Sequence, residues 1–133
     1  VENPLKDVER TDFFCPGSVL AVEVDTSHPI GYGMREKSAV FFRRSPAFRL
    51  TPTTEQTEAK VVVAYPDRNP LMSGWLLGGE HLYNKAAVVD VPVGEGRVIL
   101  IGFRAQHRAQ PHRTFKILFN AIYYGSVTST RLP

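Results

Sequence analysis

The densest run of chemically capable side chains in this sequence is Gly102-Phe103-Arg104-Ala105-Gln106-His107-Arg108-Ala109-Gln110-Pro111-His112-Arg113. It follows an apolar stretch patterned as a buried strand and leads into a helical pattern. At such a junction free backbone N–H groups and the helix dipole can hold an anion. Arg104, Gln106, His107, Arg108, His112 and Arg113 are therefore candidates for gripping a carboxylate, a phosphate or an acidic partner surface. The commoner role of such arginines is structural, with Arg104 and Arg108 tying the loop to carboxylates or carbonyls of the fold, or to a neighbouring domain. Like charges crowded into one loop repel, so either role calls for a counter-group and for at least one arginine in a charge-assisted contact.

Other chemistries find less support. A metal site needs two or three ligands at one point, signalled locally by His-x-x-Glu or His-Glu-x-x-His. The four histidines, His28, His81, His107 and His112, are followed three residues on by Gly31, Asn84, Gln110 and Phe115, so neither signature occurs. His107 and His112 could meet across the loop, but without a nearby cysteine or carboxylate they read as loop imidazoles, and no cofactor is expected in this chain. Cys15 stands in Phe13-Phe14-Cys15-Pro16-Gly17 with no histidine or acid at a telling position, which fits a buried small hydrophobe better than a nucleophile. No Gly-x-Ser-x-Gly elbow is present. Gly78-Gly79 and Gly94-Glu95-Gly96 lack the lysine and spacing of a phosphate-cradling loop and read as turns.

The elements that must position these groups fit in one domain. A chain of 133 residues can bury roughly two-thirds of its unfolded surface. Its hydrophobic share of 43% and charged share of 22% are globular. Sixteen Lys and Arg against thirteen Asp and Glu give a net charge of +3 with no long like-charged run, so nucleic acid is not implied. The single cysteine allows no internal disulfide. No apolar stretch approaches the roughly 18 residues of a bilayer span, and no charged-then-apolar leader opens the chain. Val1 in place of an initiator Met leads to the expectation of a processed or excised segment. Compartment and oligomeric state stay open.

The pattern predicts a β-rich α/β domain with a mixed or antiparallel sheet and a C-terminal helix packed on it. Residues 1–17 read as an irregular loop leading into a core over 18–125, with a tail over 126–133. Strands are predicted over 18–25, where Leu20, Val22 and Val24 share a face, and over 39–42, 60–65 and 71–77, with an exposed polar stretch at 51–58. The segments 86–93 and 97–103 flank Gly94-Glu95-Gly96 as an antiparallel hairpin, with Pro92 at a sheet edge or strand end. The sheet centre is placed at 60–65, 86–91 and 97–103. A helix is predicted over 111–124, with Pro111 at its first position, Phe115, Leu118, Phe119 and Ile122 facing the sheet, and Gly125 as its stop.

Several longer stretches carry a family resemblance. Trp75-Leu-Leu-Gly-Gly-Glu-His-Leu82 and the run from Lys85-Ala-Ala-Val-Val-Asp through Gly-Phe-Arg-Ala-Gln-His-Arg-Ala-Gln-Pro-His-Arg to Ala121 resemble the C-terminal region of large bacterial proteins of the zinc carboxypeptidase (carboxypeptidase A-like) family. Val24-Asp25-Thr-Ser-His-Pro-Ile-Gly-Tyr-Gly-Met34, Phe41-Phe42 and Pro46-Ala-Phe48 resemble the preceding part of that region, so most of the chain is covered. The resemblance implies a tail with a class I glutamine amidotransferase-like fold behind a peptidase domain, a peptide hydrolase as parent, zinc held only in that upstream domain, and a periplasmic or extracellular setting. It carries over no site. The family's His-x-x-Glu pair has no counterpart here, and Cys15 stands in Phe-Cys-Pro rather than in Gly-x-Cys-x-Gly, with no His-x-Glu anywhere.

The expectation is thus a non-catalytic C-terminal accessory domain of a larger protein, in contact with an upstream peptidase domain. Two alternatives stand beside it. One is a binding module that uses the 104–113 loop with exposed aromatics such as Trp75 or Tyr83, and the other is a structural cap, which would carry a sizeable apolar patch.

Overall fold

The period-2 runs become six strands in the computed structural model, which describes residues 1–51 and 58–125. The tail expected over 126–133 lies outside the described residues, as does the stretch expected over 51–58 apart from Thr51 and Glu58, which are exposed. The strands are β1 (Ser18–Val24), β2 (Lys37–Phe42), β3 (Lys60–Ala64), β4 (Leu71–Ser73), β5 (Ala86–Val93) and β6 (Gly96–Ile101), followed by one helix, α1 (Phe115–Gly125). Every pairing is antiparallel, in the order β2-β1-β3-β5-β6 with β4 beside β1.

The sheet curls into a half-barrel that forms a single domain with α1. The chain leaving β6 turns back toward β2, where the Arg104 amide donates to the Phe41 carbonyl at 2.9 Å. This return carries the 104–113 segment across to the β1–β2 side. The 1–17 segment contains no regular element and is tied down by isolated bridges, Glu2 to Arg49 and Phe14 to Leu77. No helix of the described residues is long and apolar enough to cross a membrane.

Alternation explains the burial. Ser18, Leu20, Val22 and Val24 of β1 point inward and meet Val40 and Phe42 of β2, while Val19 and Glu23 face out. Ala86 to Asp90 of β5 are all buried, because the main core covers one face and Phe48, with Val89, packs the other. Leu82, Ile30 and Ile117 are wholly buried, each contributing about 1.5–3 kcal/mol relative to exposure. The β5–β6 hairpin closes through Gly94 and Glu95, with Val93 opposite Gly96. Gly94 has φ 56°, the positive value that a type II′ turn requires at its first central position.

Four expectations are corrected. The sheet centre is β3 flanked by β1 and β5, whereas β6 ends the path and alternates as a strand at an edge. The strand expected over 71–77 stops at Ser73, because Gly74, at φ 101°, turns the chain where Ser18 packs against it. The helix begins at Phe115 rather than Pro111. The Thr114 hydroxyl donates to the carbonyls of Ala105 (2.8 Å) and Pro111 (2.9 Å) and holds His112–Thr114 as a separate 3-10 turn. Finally, α1 buries Ile117 and Ala121, leaving Phe119 53% and Ile122 60% exposed. Polar ties set this rotation, since Asn120 Nδ2 donates to the carbonyls of Ile30 (3.0 Å) and Tyr32 (2.9 Å) and Tyr124 packs on His28 and Arg97.

Candidate functional site

The 104–113 loop does not hold its cations at one point. Arg104 is exposed and its Nε donates to the Arg43 carbonyl at 3.4 Å. Gln106 is exposed, and His107 stacks on Phe41 with ring centroids 4.9 Å apart. Arg108 and Ala109 both have positive φ, 50° and 54°, and the Gln110 amide donates to the His107 carbonyl at 3.0 Å. This is a type I′ turn built without the glycine or asparagine it favours, and it aims Arg108 into solvent. No carboxylate of the described residues pairs with Arg104, Arg108 or Arg113; the ion pairs found there all centre on Asp90.

His112 and Arg113 sit elsewhere, at the approach to α1. Arg113 lines three neighbouring depressions along the β1–β2 side of the sheet. One, of about 230 Å³, is walled by Arg35, Arg113, Lys116, Ser38, Gly33 and Met34 and contains no carboxylate. Lys116 Nζ donates to the Gly33 carbonyl at 2.8 Å, and the Ser38 hydroxyl donates to the Arg35 carbonyl at 2.9 Å. The guanidiniums of Arg35 and Arg113 make no hydrogen bond or ion pair among the described residues. Arg113 and Lys116 also stand at the positive end of α1, whose first turn has no acidic residue. Each such cation is disfavoured there by about 0.3–1 kcal/mol. A second depression adds Lys37 and Arg68 beside the single carboxylate Glu23. The third is mainly apolar, with Phe41 and Val19 facing Gln110, Pro111 and His112. Arg35, Lys116 and Ser38 were not among the sequence candidates, because they come from the segment before β2, from α1 and from β2 itself.

A buried polar joint also escaped the sequence reading. Asp90, on β5, is 2% exposed, and its Oδ2 accepts from Arg97 Nη1 at 2.6 Å. His28 is 7% exposed and its Nε2 lies 3.3 Å from the same oxygen. The angle there does not qualify as a hydrogen bond, and Asp90 Oδ1 has no partner. His28 Nδ1 accepts from the Ile30 amide at 3.3 Å. That contact turns Nε2 of the ring toward Asp90. Tyr124 of α1 closes the joint, edge-on to His28 (5.4 Å) and beneath the Arg97 guanidinium (4.0 Å). The turn presenting His28 is capped by Asp25, whose carboxyl is held below its ordinary value by the Ser27 hydroxyl and amide. A lone aspartate in the apolar run Ala-Ala-Val-Val-Asp-Val was the signal that could have flagged this joint. Buried beneath Tyr124, the His28–Asp90 pair ties α1 to β5.

Trp75 is exposed and exchanges hydrogen bonds with the Ser18 hydroxyl through its backbone, while Tyr83 is half-buried. Cys15 is buried, and that burial pushes its thiol above the ordinary value. Among the described residues no group of three or more His, Cys, Asp or Glu side chains is placed to hold a metal ion. No family model matches this chain, and no curated protein or solved structure matches it either.

Proposed function

We propose that this chain is a non-catalytic accessory domain of a larger protein, and that it binds an anionic group of a ligand or partner in the depression formed by Arg35, Arg113 and Lys116. The observation that carries the reading is three cations lining one hollow with no carboxylate in its wall, Arg35 from the segment before β2 and Arg113 and Lys116 from the approach to α1 and its first turn. Cations held together without counter-ions leave an electrostatic cost that a carboxylate or phosphate offsets, most strongly where the planar guanidinium fork can engage two oxygens. Among the described residues, Cys15 is buried with its thiol pushed above the ordinary value, and His28 and Asp90 form the joint beneath Tyr124. The resemblance to the tails of zinc carboxypeptidases supplies the setting: a peptide hydrolase whose zinc belongs to an upstream peptidase domain, with this sheet as part of a class I glutamine amidotransferase-like unit.

Calorimetric titration with inorganic phosphate and with a glutamate-rich peptide tests the site. Binding should weaken steeply between about 10 mM and 200 mM salt, because exposed charges are screened. It should fall at least tenfold in Arg35→Glu/Arg113→Glu. Wild-type protein that takes up neither probe at low salt would sink the reading.

A second reading, a structural cap on the peptidase domain, draws on the outer stripe of α1, where Phe119, Ile122 and Tyr123 are all exposed. Contiguous exposed apolar surface of this kind marks interfaces. Loss of co-purification with the upstream domain in Phe119→Lys/Ile122→Lys, with phosphate binding intact, would favour the cap.

A further inference from the structure

We propose a second binding site, independent of the Arg113 depression, that takes a monocarboxylate with an apolar body of about eight to twelve carbons. It is a cavity of about 460 Å³ between the 1–17 segment and the end of β2, within the roughly 300–1,000 Å³ range of small-molecule pockets. Its apolar wall is made by Leu5, Val8, Phe13 and Phe42, with the buried Cys15 thiol beside them. Phe13 is locked edge-on against Phe42 with centroids 6.0 Å apart, so this wall is preformed.

The polar end is cationic. Arg10 and Arg44 both line the cavity and are exposed, and neither makes a hydrogen bond or ion pair among the described residues. The remaining polar lining, Asn3 and Ser45, already makes local bonds: the side-chain Oδ1 of Asn3 accepts from the Leu5 amide at 3.1 Å and the Ser45 hydroxyl donates to the Arg43 carbonyl at 3.2 Å. No carboxylate lines the cavity.

These features fix the ligand class. Two guanidiniums reject a cation and match one carboxylate. The apolar wall gives a polyanion nothing to bury, whereas an alkyl or aryl body removes its own surface and that of the wall from water. Affinity should therefore rise with each methylene added, by at most about fourfold, the value for complete burial, until the hollow is full.

Decanoate, titrated into the full chain below its micellar concentration, is the probe. It should bind at least tenfold more tightly than decanol, which has the same body without the charge, and more tightly than hexanoate. Arg10→Ala/Arg44→Ala, a change at two exposed positions, should cost at least tenfold for decanoate and leave decanol unaffected. The Arg35→Glu/Arg113→Glu protein should bind decanoate as the wild type does, which separates this site from the other one. Equal affinity for decanoate and decanol, an unchanged double-arginine variant, or loss of binding in Arg35→Glu/Arg113→Glu would each overturn the proposal.

Discussion

Asp90 is the deepest charge among the described residues, yet the geometry of its joint makes Arg97→Ala the costlier substitution. In Arg97→Ala the carboxylate remains, 2% exposed, with Oδ1 already lacking a partner and Oδ2 left with only a misaligned approach from His28. Stranding a buried charge costs about 3–5 kcal/mol, and the lost contact over Tyr124 adds about 0.5–1 kcal/mol. In Asp90→Ala the stranded group is Arg97, whose side chain is 25% exposed and can turn to water. What remains is one charged hydrogen bond, about 1.5–3 kcal/mol, partly offset by relief of the unsatisfied Oδ1, so about 2 kcal/mol is expected. For a chain of this size that is a fall in Tm of roughly 6–8 °C, against at least 10 °C for Arg97→Ala. Asp90→Leu/Arg97→Leu should recover most of the loss, since a well-packed apolar pair often matches a buried ion pair. Urea midpoints at constant m for the two single alanine variants and Asp90→Ala/Arg97→Ala form the necessary cycle. If Asp90→Ala proves the more destabilising, or if the double alanine variant loses the sum of the single effects, the account of this joint is wrong.

Three further outcomes are expected. Arg108→Asn/Ala109→Gly puts the residues a type I′ turn favours at the two positions with φ of 50° and 54°, and should raise stability by about 1 kcal/mol in urea denaturation. Gly102→Ala places a Cβ 2.5 Å from the Pro46 carbonyl oxygen and should cost at least ~2 kcal/mol by the same measurement, because backbone on both sides must shift. Burial raises Cys15 above 9.0 and, reinforced by the charge of ionised Cys15, raises Tyr65 well above 10.0. Folding favours both protonated forms, so their contribution is complete below those ordinary values and is lost as the pH climbs from about 9 toward the folded values. Urea midpoints should fall between pH 9 and 11, and fall less in Cys15→Ala.

The strands were legible because alternation and turn residues agree. Leu20, Val22 and Val24 share a face as expected, and the hairpin follows from Gly-Glu-Gly between two β-branched runs. The rotation of α1 was not legible, because its sequence carries two apolar stripes. Phe115, Leu118, Phe119 and Ile122 form the heavier one, but Ile117 and Ala121 are the buried residues, Leu118 and Tyr124 pack against the core, and Phe119 and Ile122 are exposed. Periodicity weighs only side-chain size, whereas the choice is made by Asn120 and Tyr124 reaching groups some 90 residues away along the chain. The site was half legible for a related reason. Arg113 stood out in its loop, but its neighbours Arg35 and Lys116 are brought to it by the curl of the sheet, which no local pattern records.

The same long-range ties give the cationic depression its geometry. Lys116 is bonded to the Gly33 carbonyl and Asn120 to the carbonyls of Ile30 and Tyr32, so the segment that carries Arg35 is stitched along one side of α1. Thr114 fixes the residue next to Arg113 by two hydrogen bonds, and Tyr124 anchors the far end of the helix under Arg97. Exposed cations left to themselves would spread apart to reduce repulsion. Here their backbones are held by bonds that do not involve the charged tips of Arg35 and Arg113, so the repulsion is built in before any ligand arrives. An anion entering this depression meets charges whose backbone ordering folding has already supplied. Preorganisation of that kind raises affinity without enlarging the contact area, which is how a hollow of only about 230 Å³ can serve as a recognition site.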